Sequence, residues 1–143
     1  MNPFQSLSDY ERFIYTLQRR FPRILRSTLT LIRRGRLLAE LSGEIMFDNG
    51  RRLLIYERLS WETGPLQIEG YSREVWHGGQ ISYWYDSQPH PNDPLLAGTA
   101  PHHKHVPPDI KHHRVPAPAL TLTAPNLPFL IEEIEAGDST DIE

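Results

Sequence analysis

The chain has 143 residues, 38% of them hydrophobic and 10% aromatic, with no cysteine and a formal charge of −3. That length suits one domain with one core. The missing cysteines exclude disulfides, thiolate zinc sites and a cysteine nucleophile, and no apolar run approaches the ~18 residues that cross a bilayer.

The opening Met-Asn-Pro-Phe-Gln-Ser lacks a basic segment followed by an apolar stretch, so no secretory signal is read. A cytoplasmic protein without membrane attachment is the expectation. The charge is unevenly placed: residues 1–60 carry 11 Lys and Arg against 6 Asp and Glu, and residues 61–143 carry 4 against 12. A basic amino-terminal half can meet phosphates, although solvated strand and helix faces give the same balance.

Residues 6–20 read as a helix. Ser8 is placed to cap it, Glu11 follows at capping-box spacing, and Tyr10, Phe13, Ile14 and Leu17 share one apolar face. Pro22 ends it near Arg20–Phe21. The period then changes to two. Ile24 to Arg33 and Arg36 to Phe47 read as strands, Asp48-Asn49-Gly50 as a hairpin turn, and Arg51 to Ser60 as the third strand. Leu66 to Trp76 is a fourth strand, His77-Gly78-Gly79 a turn, and Gln80 to Asp86 a fifth. Short connections predict an antiparallel meander of about five strands over 24–86.

Ten prolines fall between Pro89 and Pro128. Proline lacks the N–H that a ladder needs, so residues 87–123 read as a long Pro/His-rich loop, with Leu120–Leu122 as a short edge strand. Asn126 to Ala136 reads as a closing helix with Leu127, Leu130, Ile131 and Ile134 on one face, and residues 124–143 as that helix plus an acidic tail. The expected fold is α+β, a single domain over 1–143: an antiparallel sheet with an N-terminal and a C-terminal helix.

Six of the seven histidines lie between Tyr85 and Arg114: His90, His102, His103, His105, His112 and His113. Imidazole serves as acid, base, cation or metal ligand near neutral pH, so this segment is the candidate site. A strand ending in Tyr85-Asp86, then Pro89-His90, then Pro101-His102-His103-Lys104-His105-Val106, resembles the TumE-type toxin family of prokaryotic toxin–antitoxin modules. That family was long described only as a domain of unknown function. The hairpin Gly43 to Gly50, Glu57 and Tyr71-Ser72-Arg73 resemble the rest of its pattern, and the likeness runs from about Ser27 to Ile134. Ser87 stands where the family often has Asn, and Pro91 follows His90 where a second His is common. The resemblance implies a small intracellular toxin that acts on RNA and is encoded beside a cognate antitoxin.

Metal-free RNA cleavage needs a base, an acid and a cation for the phosphorane. Asp86, His102, His103 and His105 form the candidate catalytic set, with His103 or His105 as acid or base and Asp86 orienting a histidine. Lys104 or Arg73 is assigned to phosphate, and both, with Glu57 and Tyr85, make up the substrate-facing set. No cofactor is expected on this reading. The structural alternative makes Glu57 and Arg73 a cross-strand ion pair and Asp86 a cap on the Pro-rich loop.

A second reading is a divalent transition metal or metal-dependent hydrolase. His103-x-His105 can present two imidazoles to one side, with His90 as a third ligand and Asp86, His112 or His113 as further donors. A third is a non-catalytic binding module, because Trp76, Tyr83, Trp84 and Tyr85 can stack on bases, although such stripes more often pack a core. Trp84 and Asp86 should share one face and Tyr83 and Tyr85 the other. The expected partners are an antitoxin, RNA and a second copy of the chain. No phosphate-binding glycine loop or Ser/His/Asp constellation is present.

Overall fold

The computed structural model describes residues 2–62 and 64–137. In chain order the elements are α1 (Leu7–Tyr15), α2 (Leu17–Arg20), β1 (Ile24–Ser27), β2 (Thr30–Arg33), β3 (Leu38–Phe47), β4 (Arg51–Ser60), β5 (Gln67–His77), β6 (Gln80–Asp86), a 3-10 turn (Pro94–Thr99), β7 (His103–His105), β8 (Arg114–Pro116) and α3 (Leu127–Ala136). The architecture is α+β, with every strand pairing antiparallel.

Alternation builds the sheet. In β4, Leu53, Ile55, Glu57 and Leu59 are buried, while Tyr56 and Arg58 between them are exposed, as a strand with one covered face requires. The covered face receives Tyr10, Phe13 and Ile14 of α1 and Leu127, Leu130, Ile131 and Ile134 of α3 against Leu41, Ile45, Leu53 and Val75. Burying one such aliphatic side chain contributes about 1.5–3 kcal/mol.

The sheet has eight strands rather than about five, in the order β1-β3-β4-β5-β6-β7-β8 with β2 also on β3. Two causes account for the difference. The segment from Ile24 to Arg33 is two strands, broken at Thr28–Leu29. There Leu29 turns into the core at 4% exposed, and the Thr28 N–H donates to the Glu44 carbonyl at 2.8 Å. The chain crosses so close to β3 that a Cβ on Gly43, whose φ is +137°, would stand 2.6 Å from the Thr28 carbonyl oxygen. The second cause is that the Pro/His-rich segment is not all loop: it supplies β7 and β8. Pro116 is tolerated because β8 is an edge, where an absent N–H breaks no ladder.

Three smaller expectations change. Ser6, not Ser8, caps α1, its hydroxyl accepting from the Asp9 N–H at 3.1 Å. The first helix is interrupted at Thr16, so residues 6–20 make two helices rather than one. Leu120–Leu122 is not a strand, although the Leu122 carbonyl accepts from the Ile68 N–H at 2.7 Å. Asn126 holds that turn through two hydrogen bonds to the Thr121 backbone. The acidic tail beyond Gly137 lies outside the described residues. Among the described residues no helix is long and apolar enough to cross a membrane.

Candidate functional site: a histidine–carboxylate cluster on the outer face

The chain leaves β6 at Asp86, makes its excursion through residues 87–102, and returns as β7 antiparallel to β6. The register sets Asp86 against His103, Tyr85 against Lys104 and Trp84 against His105. Because side chains alternate along a strand, Trp84, Asp86, His103 and His105 fall on the outer face. Tyr85 and Lys104 fall on the helix-covered face.

On the outer face the donor atoms of three residues converge, one nitrogen from each of two imidazoles and both oxygens of one carboxylate. His103 Nε2 lies 2.8 Å from Asp86 Oδ1 and His105 Nε2 3.3 Å from Asp86 Oδ2, and the two Nε2 atoms are 3.1 Å apart. The other ring nitrogens face backbone carbonyls: His103 Nδ1 the Pro101 oxygen at 3.2 Å and His105 Nδ1 the Ile110 oxygen at 2.9 Å. A carbonyl carries no proton, so each Nδ1 must be the N–H of its ring. The Trp84 indole stacks on His105 at 4.0 Å between centroids, with its N–H donating to Asp86 Oδ2 at 3.1 Å. The Gln88 N–H donates to Asp86 Oδ1 at 3.1 Å.

His103 and His105 are 1% and 4% exposed. Burial opposes the Asp86 charge, but the His103 hydrogen bond and charge, the Gln88 amide and the Trp84 indole outweigh it and hold the carboxyl at about 2. Burial pulls the His105 imidazole below its ordinary value, despite the Ile110 carbonyl and Asp86.

The remaining expected site residues divide between two places. Lys104 donates to Glu133 of α3 at 3.1 Å and lies 4.2 Å from the centre of the Tyr83 ring; Tyr85 donates to the same carboxylate at 2.8 Å. Both therefore fasten β6 and β7 to α3. Glu57 and Arg73, which the sequence offered either as substrate-facing or as a cross-strand ion pair, lie in the core with neither side chain exposed, paired with each other. The Tyr10 hydroxyl donates to Glu57 Oε1 at 2.6 Å, and Arg73 Nε donates to Oε2 at 3.1 Å. The Arg73 guanidinium also covers the Tyr71 ring at 3.9 Å. The Tyr71 hydroxyl meets His102 Nδ1 at 2.7 Å, and the two rings stack. Burial raises the phenol pKa of Tyr71, so it stays neutral and shares one hydrogen bond with His102. His102 thus sits apart from the converging pair. His90 packs edge-on against His103 with centroids 4.7 Å apart, but the group of convergent donors is Asp86, His103 and His105. His112 and His113 are exposed, held by Asp109 and the Pro107 carbonyl.

Arg58 is the residue that the sequence did not single out. With Tyr56, Gly70, Tyr71, Asp86 and Pro101 it lines an open cleft of about 750 Å³. Its guanidinium lies over Gly70, where a Cβ would come within 2.5 Å of Nη2. The alternation of β4 carries the signal, since it turns Tyr56 and Arg58 away from Leu53 and Ile55. A second cavity of about 260 Å³ borders His90, Leu96, Pro101 and His103.

Fold and cluster together define a small α+β protein with a histidine–carboxylate centre near one sheet edge. The family model described as Toxin TumE matches residues 13–137, and the chain belongs to that toxin family. No curated protein and no solved structure matches it.

Proposed function

We propose that this chain is the toxin component of a type II toxin–antitoxin module and that it cuts RNA on the outer face of the sheet, around Asp86, His103 and His105. Membership of a toxin family supports the first part and, in general, an antitoxin as partner. The placement of Asp86 carries the second. Its carboxylate is a member of the histidine cluster and also lines the cleft that holds Arg58 and Tyr56. Arg58 is exposed and makes no ion pair among the described residues, and a guanidinium suits phosphate. Tyr56, 38% exposed, offers a ring on which a base can stack.

An in-line displacement places attacking and leaving oxygens on opposite sides of phosphorus, so its acid and base stand apart. His103 and His105 point their Nε2 atoms at one spot, 3.1 Å from each other. They serve one side of the reaction together. In a reaction carried by side chains alone, the second proton carrier would be His102, whose ring rests on the cleft-lining Tyr71.

The test pairs cleavage with toxicity. Purified protein is incubated with end-labelled single-stranded RNA and the matching DNA, while growth arrest is scored in cells. The expected result is cleavage of RNA, with Asp86→Asn losing both cleavage and growth arrest while remaining folded. Growth arrest that persists in Asp86→Asn, from a protein that cuts no RNA, would sink the reading.

A further inference from the structure

We propose that Asp86, His103 and His105 form a binding site for one divalent transition-metal ion of the zinc type. The argument begins with lone pairs. Both Nδ1 atoms are committed as N–H donors to the Pro101 and Ile110 carbonyls, so both Nε2 atoms present lone pairs when the rings are neutral. They present them to each other at 3.1 Å and to the Asp86 carboxylate at 2.8 and 3.3 Å. Acceptors gathered this closely and buried repel one another unless a positive charge lies among them. A single proton satisfies one nitrogen–oxygen contact and leaves the other imidazole facing an acceptor. A metal ion satisfies all three.

The spacing fits. Ligands about 2.0–2.1 Å from zinc, at coordination angles between octahedral and tetrahedral, stand about 2.8–3.4 Å apart. The surroundings fit too. Metal-bound imidazoles donate their second N–H to a carbonyl or carboxylate, which fixes tautomer and ring orientation; here Pro101 and Ile110 do so. The Trp84 indole and the Gln88 amide each orient one carboxylate oxygen. Two imidazoles and one carboxylate make a borderline donor set that suits zinc and leaves a position for water. His103 borders the 260 Å³ cavity and Asp86 the larger cleft, with Pro89 and Pro101 lining both. The assignment does not depend on the RNA reading, because metal uptake and cleavage are separate measurements.

The experiment uses the full chain, freed of metal by chelation and dialysis, and titrates it with zinc chloride by calorimetry and with cobalt(II) by absorption. One ion per chain is expected. Asp86→Asn, His103→Gln and His105→Gln should each weaken binding by ~100-fold or more, beyond the 10–100-fold typical of outer-shell partners. A His112→Ala/His113→Ala double variant should leave it unchanged, which separates the cluster from adventitious surface histidines. Ring-nitrogen NMR of the unsubstituted chain decides the matter if a variant fails to fold: zinc should shift Nε2 of His103 and His105 and leave both Nδ1 protonated. Unmoved Nε2 signals at saturating zinc, or binding that survives all three cluster substitutions, would overturn the site and leave an imidazolium–carboxylate pair. Metal binding without RNA cleavage would refute the proposed activity and keep the site; cleavage without metal binding would do the reverse.

Discussion

Glu57 and Arg73 pair diagonally across β4 and β5 with both side chains fully buried, and Tyr10 of α1 completes the carboxylate's hydrogen bonding. A charge left without its partner in such a place is expensive. Glu57→Gln is expected to cost about 3–5 kcal/mol, and Tyr10→Phe about 1.5–3 kcal/mol, the range for a hydrogen bond to a charged group. Urea denaturation reads both. A midpoint for Glu57→Gln within error of the parent would mean that the pair contributes nothing to stability.

Arg58 should behave oppositely. It is exposed, so Arg58→Ala should change stability by ~0.5 kcal/mol or less. It should nevertheless weaken RNA binding and flatten its salt dependence, since one phosphate contact fewer releases one counterion fewer. An unchanged salt slope would remove Arg58 from the interface.

Lys104 faces α3, not the cleft. Lys104→Met should lower stability by about 1 kcal/mol or less, as a partly exposed ion pair does, and leave cleavage intact. A tenfold loss of cleavage from a protein that still melts normally would show that Lys104 reaches the substrate after all.

Metal dependence separates the two chemistries at the cluster. With the proposed site, cleavage should stop in chelator and return with zinc, because a bound ion activates water at neutral pH. Zinc binding should also weaken as the solution is acidified, since protons compete for the ligand nitrogens. Full cleavage in chelator would leave proton transfer by side chains as the mechanism.

The sheet's centre was legible because Ala39, Leu41, Ile45 and Phe47 alternate with Glu40, Ser42 and Glu44, and Asp48-Asn49-Gly50 marks its turn. The faces of β6 were legible for the same reason: Trp84 and Asp86 lie opposite Tyr83 and Tyr85, as period two requires. What the sequence concealed was pairing at a distance. Three residues, His103 to His105, are too few to show a period, and the prolines around them argue against a strand. Only the register with β6 reveals that His103 and His105 meet Asp86 while His102 turns to Tyr71. Glu57 and Arg73 left two readings open, a substrate-facing role and a cross-strand ion pair. A charged residue at an inward position of an alternating strand fits both until the packing is known, and the structure shows the buried pair, sixteen residues apart along the chain.

The shortness of β7 has a bearing on how members of this family can diverge. The excursion from Ser87 to His102 only has to leave and rejoin β6, so insertions and deletions there alter a surface path. One residue gained or lost inside the His103-Lys104-His105 tripeptide is different, because it exchanges the two faces of the strand. Lysine would then turn toward Asp86, and an imidazole toward Glu133. Length variation among relatives should therefore gather in the spacer and spare the tripeptide, whatever happens to the identities of the residues between.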